Sequence, residues 1–208
     1  MTYCKLYSRC SAKEFVDFWE QFYQSKIPDE AYRTNLKVGA ELTKENINLL
    51  WRWKNERYGP PLIEPTEAIL KDINSFRKRE HVDEASEREF WRKVAAITPG
   101  VVWQVFLFHM ARPEDYPILD QHVMRAFFAV TRGYVYCNPK EVRVPCHGYE
   151  RFCSVYSDYR EFFFDLVKEA GSPELKKVDR ALWAFGKHLK RLHRQDGPLP
   201  VGKEEDEG

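Results

Sequence analysis

Apolar residues along most of this chain recur at three- and four-residue spacing, the signature of helices with one face turned to a core. Phe15, Phe18, Trp19 and Phe22 fall at i, i+3, i+4 and i+7. Ser11 and Glu14 precede them at capping-box spacing, so a helix is expected over 11–23 with those four rings inward. Thr43 is placed to cap a helix carrying Ile47, Leu50, Trp51 and Lys54 along one face, and Gly59-Pro60-Pro61 breaks the chain after it. In the run Trp51-Arg52-Trp53-Lys54 neighbouring side chains diverge by about 100°, so one Trp is expected inward and the other half exposed. Pro65 suits a first helical turn and opens a helix with Ile69, Ile73 and Phe76 inward. Ser86 and Glu89 have the spacing to cap the next helix, which reaches Ile97.

Two segments break this pattern. The 99–110 stretch is apolar on every side, through Val101, Val102, Trp103, Val105, Phe106, Leu107 and Phe108, and reads as a buried central helix. Gln104 and His109 are its polar side chains, and each needs a partner because a buried unpaired polar group costs about 1–3 kcal/mol. The 117–132 segment reads as a second helix entered at Asp120. Residues 133–145 look irregular or briefly extended, and two long helices follow over 148–170 and 173–194. Gly171 suits a helix C-terminus, Ser172 an N-cap and Pro173 a first turn. Gly197-Pro198 stops the last helix, and the polar remainder is expected to be disordered. The fold class is therefore all-α: a single compact multi-helix domain over 1–196, with an acidic tail over 197–208.

Composition narrows the choice. Six Trp, 11 Tyr and 14 Phe point to a core of large flat rings, which favour one fixed packing. A length of 208 residues suits one well-buried core better than two domains. A net charge of +1 provides no global field for polyanions, so nucleic-acid binding would need a local basic patch. No apolar run approaches the roughly 20 residues of a membrane span, and no membrane partner is expected. Met1-Thr2-Tyr3-Cys4-Lys5 lacks the apolar run of a signal peptide, so a cytoplasmic location is expected. The five cysteines, Cys4, Cys10, Cys137, Cys146 and Cys153, are then reduced thiols, as their odd number also suggests.

Candidate chemistry gathers over 99–125. Asp120 stands at a helix start with His122 and Arg125 in the following turns. The ordinary work of such an aspartate is to accept backbone N–H bonds and to favour the positive end of the helix dipole. If its carboxylate also faces a pocket beside the buried helix, it can activate water or stabilise a developing cation.

Ile97-Thr98-Pro99-Gly100-Val101, a helix, and then Leu119-Asp120-Gln121-His122-Val123 with Arg125 resemble the helix-hairpin-helix DNA glycosylases of the endonuclease III type. That family places a Leu-Pro-Gly-Val-Gly hairpin before a buried helix, and a Val-Asp-x-His-Val/Ile-x-Arg segment after a short loop. The resemblance implies that family's fold, DNA as partner, and Asp120 as the catalytic carboxylate. It would help expel a damaged or mismatched base, flipped from the duplex, through a cationic sugar transition state. Gln104 and His122 would shape the pocket, Arg125 would orient the carboxylate or hold a phosphate, and Gly100 and Val101 would meet the DNA backbone. Val102 replaces the second hairpin glycine, and Gln104 stands where bifunctional members carry a Schiff-base lysine. The resemblance therefore implies a monofunctional, aspartate-dependent enzyme or a chemically silent relative. Cys137, Cys146 and Cys153 do not reproduce the family's iron–sulfur spacing, and no cofactor is expected; a metal site from them with His147 is the lesser alternative.

The last helix carries Lys176, Lys177, Arg180, Lys187, Lys190, Arg191 and Arg194, with Leu182, Phe185, Leu189 and Leu192 as its inner stripe. Lys187, Lys190 and Arg191 are candidates for phosphate contact; a solvated helix face is the alternative. The chain thus reads as a DNA-binding, glycosylase-like protein, with a non-enzymatic helical interaction module as the other reading. No phosphate-cradling Gly-rich loop before a Lys, no His-Glu-x-x-His and no Gly-x-Ser-x-Gly occurs.

Overall fold

A computed structural model describes residues 10–37, 39–55, 67–98, 100–132, 149–172 and 174–195. Among these the architecture is all-α. The helices are α1 Ala12–Glu20, α2 Asp29–Asn35, α3 Lys44–Asn55, α4 Glu67–Arg77, α5 Glu84–Ile97, α6 Val101–Ala111, α7 Gln121–Arg132, α8 Tyr149–Ala170 and α9 Leu175–Gln195. No described helix is long and apolar enough to cross a membrane. Gly59-Pro60-Pro61, Pro65, the 133–145 segment, Pro173, Gly197-Pro198 and the acidic tail lie outside the described residues, as do Cys137, Cys146 and His147.

The helix starts follow local chemistry. Ser11 and Glu14 form both halves of a capping box on α1, and Thr43 pairs with Asn46 in the same way ahead of α3. On α5 the cap is Asp83, with Ser86 as its reciprocal partner, three residues before the expected Ser86–Glu89 box. An aspartate carboxylate outcompetes a serine hydroxyl for the orphan N–H groups because it carries charge as well as lone pairs. At the other end of the chain α8 closes on Gly171 at φ +59°, with the Gly171 and Ser172 amides returning to the Lys168 and Val167 carbonyls. Ser172 serves this turn and does not cap α9, which begins at Leu175.

The all-round apolar segment does become the central helix. Nine of the 11 residues of α6 are buried, among them Gln104 and His109. On one side Phe76 of α4 and Phe90 of α5 stack at 4.3 Å, and both meet Phe108 edge-on. On another side Trp51 of α3 stacks on Trp103 at 3.8 Å. Trp53 is buried as well, which corrects the expectation of one half-exposed Trp. It is covered from the far side by α2, where Tyr32 lies 4.7 Å away.

The most extensive pairing is α7 on α9, and α1 packs along another side of α9. Gly186 permits the α7–α9 approach: a Cβ there would sit 1.8 Å from the His122 carbonyl oxygen. The face that α1 buries is Ala12, Phe15 and Val16, with Trp19 partly covered, while Phe18 and Phe22 are each 53% exposed. The four-ring inward stripe expected for α1 is thus only half inward. The helix ends at Glu20, and its contact with α9 runs through Phe15 and Trp19 onto Phe185.

Candidate functional site

The segment leading into α7 is held by three buried side chains on three successive carbonyls. His109 Nδ1 lies 2.7 Å from the Tyr116 oxygen, and Tyr156 and Tyr159 of α8 donate to the Pro117 and Ile118 oxygens at 2.9 Å. A carbonyl can only accept, so the His109 proton is on Nδ1, and Nε2 accepts from Tyr32 Oη at 2.6 Å. Burial holds His109 neutral, with its pKa lowered to about 3. Leu119 is wholly buried beside these anchors.

Asp120 follows, and its two carboxylate oxygens have different work. Oδ1 accepts from the His122 and Val123 amides at 2.7 and 2.9 Å, capping α7. Oδ2 faces Lys54 Nζ at 3.3 Å, and the two side chains are 16% and 8% exposed. Burial by itself pushes the Asp120 carboxyl up. The Lys54 ammonium, the His122 ring and the two amide bonds outweigh it and hold the pKa below the usual aspartate value.

Asp120 and Lys54 both line a space of about 40 Å³, with Tyr23, Ser25, Trp53, Ile118, Lys176, Asp179 and Trp183. Ile118 and the ion-paired Lys176 and Asp179 also line a neighbouring cavity of about 300 Å³, with His109, Tyr32, Leu36 and Phe163. The Lys176–Asp179 pair therefore stands between the two. Lys176 Nζ lies 4.4 Å from the Trp53 ring centre and 4.8 Å from that of Tyr32, a cation beside two rings that also touch each other. Beyond it Asp29 accepts from Trp53 Nε1 and Tyr23 Oη at 3.1 Å and from Arg180 Nε at 2.8 Å. Burial raises the Asp29 carboxyl, but Lys176 and Arg180 more than offset that and keep it charged.

The other expected site residues are distributed as follows. Gln104 does not line either space: its Nε2 donates to the Thr98 carbonyl at 2.9 Å and its Oε1 accepts from Trp91 Nε1 at 3.2 Å. His122 meets the cleft only through Trp183, whose ring centre is 5.4 Å away. Burial lowers its pKa to about 4. Arg125 Nη1 lies 3.4 Å from His122 Nδ1, and a guanidinium only donates, so the neutral ring carries its proton on Nε2. Arg125 is itself buried and also reaches Gln121 Oε1, which leaves it no exposed fork for a phosphate. Gly100 begins α6 without a side-chain cap, and Trp103 lies so close that a Cβ on Gly100 would come within 3.2 Å of its ring. The Val101 side chain is buried. On α9, Lys187 Nζ sits 4.1 Å from the Trp183 ring centre, Lys190 is half-buried and Arg191 is exposed. Lys177 and Arg180, part of the same basic run, are paired with Asp17 and with Asp29 and Glu20.

Lys54, Trp53, Lys176, Asp179 and Trp183 are the site residues that sequence spacing did not assign. Lys54 had one visible signal: a cation on the apolar stripe with Ile47, Leu50 and Trp51 needs an internal partner. The chain matches no protein-family model, no curated protein and no solved structure, so the likeness to helix-hairpin-helix glycosylases stands on residues 97–125 alone.

Proposed function

We propose that this chain binds DNA and hydrolyses an N-glycosidic bond with Asp120 as the acting carboxylate. The observation that carries the reading is the division of labour at Asp120: one carboxylate oxygen is fixed by the α7 amides, the other meets Lys54, and the residue lines an aromatic-walled cleft. A fixed carboxylate in a poorly solvated site is suited to stabilise a sugar cation as the base departs, with water adding to the anomeric carbon and its proton passing to solvent or base. A space of about 40 Å³ holds a water but no base. Admission of a base requires the Lys176–Asp179 pair to move aside and join the space to the adjacent cavity of about 300 Å³. No lysine replaces Gln104 in this reading, and no lyase step is assigned.

One observation favours a second reading. Lys54 neutralises the oxygen that chemistry would use, which suits a non-enzymatic binding module on the same fold. Duplexes bearing single damaged or mismatched bases separate the two, with abasic strands read out by alkaline cleavage on a gel. The enzyme reading expects base release from at least one duplex, reduced at least a hundredfold by Asp120→Asn while duplex affinity is kept. Binding without release from any duplex, at low and moderate salt, overturns it in favour of the module.

A further inference from the structure

We infer that α1 and α9 together form a second site, distinct from the Asp120 cleft, that takes an unpaired stretch of single-stranded nucleic acid. Among the described residues, Phe18 and Phe22 are the large apolar side chains left exposed. They are not scattered: their ring centres are 5.1 Å apart, and Trp19 touches both, at 5.3 and 5.8 Å. Trp19 continues onto the His188 ring of α9 at 5.1 Å. Phe18, Trp19 and Phe22 line a groove of about 230 Å³ together with Lys187, His188 and Arg191 of α9. Flat rings that are half exposed beside cations are what stacked bases and their phosphates require, and any base can stack on them.

The occupant follows from charge and shape. The cations call for an anionic partner. Glu14 lies one turn before Phe18 on the same side of α1, exposed and tied to Ser11. A flat anionic bilayer that buried Phe18 and Phe22 would be driven onto that carboxylate, whereas a single strand can lie along the groove and keep clear of it. A duplex offers no open base faces to the rings. The site does not rest on the Asp120 reading: none of its residues lines that cleft, and the two meet only where Lys187 lies on the Trp183 ring.

The test uses the full chain and a dye-labelled 20-nucleotide oligothymidine, read by anisotropy and by quenching of tryptophan fluorescence. The expected result is single-strand binding that weakens with salt, and an affinity loss of about tenfold or more in the double variant Phe18→Ser, Phe22→Ser. Arg191→Gln should lower the slope of log affinity against log salt by about 0.7 while leaving the quenching intact. Both variants alter exposed side chains, and circular dichroism is the check that they fold. Unchanged affinity in the double variant overturns the proposal. So does a matched duplex that binds as tightly and loses as much affinity in the double variant, or binding to phosphatidylserine vesicles with none to the oligonucleotide. Asp120→Asn should leave oligothymidine binding unchanged, so a failure of base release and a failure of this site are read separately.

Discussion

Replacing Gly186 by alanine tests the contact that sets the start of α7, and so the placement of Asp120. A Cβ at that position would lie 1.8 Å from the His122 oxygen and 2.5 Å from its carbonyl carbon. Ordinary contact begins near 3.4 Å, so α7 and α9 must separate by about 1.6 Å or tilt by an equivalent amount. Both partners are backbone, so no side chain can swing away to relieve the clash. Overpacking of this kind costs about 1–3 kcal/mol or more, and loosening the Asp120 cap adds about 1 kcal/mol. Helix propensity works the other way, favouring alanine by about 1 kcal/mol. The net expectation is a loss of about 1–3 kcal/mol. For a chain of this length that lowers the thermal midpoint by roughly 2–12 °C. Urea unfolding followed by circular dichroism at 222 nm measures it, and an unchanged or raised midpoint would refute the reasoning, because it would mean that α7 and α9 do not approach as described.

Two further outcomes concern pH and capping. His109 and His122 have folded pKa values lowered to about 3 and about 4, against about 6.5 in an unfolded chain, so the unfolded state binds more protons as pH falls below 6.5. Their stabilisation is present above pH 6.5 and is lost on acidification, by about 2 kcal/mol each at pH 5. A urea midpoint that stays level from pH 7 to pH 5 would contradict this. Asp83→Ala should cost about 1 kcal/mol by removing the α5 cap, while Glu89→Ala, outside that cap, should change stability by no more than about 0.5 kcal/mol; the reverse ranking in the same assay would restore the Ser86–Glu89 box.

Periodicity found the elements whose burial is one-sided. Ile69, Ile73 and Phe76 of α4 and the all-round apolar α6 are read directly from spacing, because each buries what its pattern marks. It could not find α2, which has seven residues, none buried, and a proline cap with no side-chain bond. It also misjudged Trp53 and Phe18 for one reason: which face of a helix is covered depends on neighbours far away in sequence. Tyr32 covers Trp53 from α2, and α9 meets α1 through Phe15 and Trp19, leaving Phe18 in solvent. At the site Asp120 was legible because capping is local. Its partner Lys54 is 66 residues away, and Gly186 shows its importance only once the His122 carbonyl is seen against it.

A cap alone does not explain the residues gathered around Asp120. Serine, threonine or asparagine would supply the α7 amides with an acceptor and bring no buried charge. An aspartate in this position costs desolvation, and Lys54, almost wholly covered, adds a second charge that must be desolvated too. Pairs of this kind are often no more stable than apolar side chains of the same volume. The surroundings nevertheless favour charge: Asp179 paired with Lys176, which lies on Trp53 and Tyr32, and Asp29 held by Arg180 continue the alternation of sign across the cleft. The carbonyls just ahead of Asp120 are meanwhile fixed by His109, Tyr156 and Tyr159, more rigidly than helix initiation requires. Fixed charge beside a small cleft is poorly suited to stability and well suited to acting on a ligand. That asymmetry, more than the spacing of any motif, is why Asp120 and Lys54 are the residues on which the functional experiments should begin.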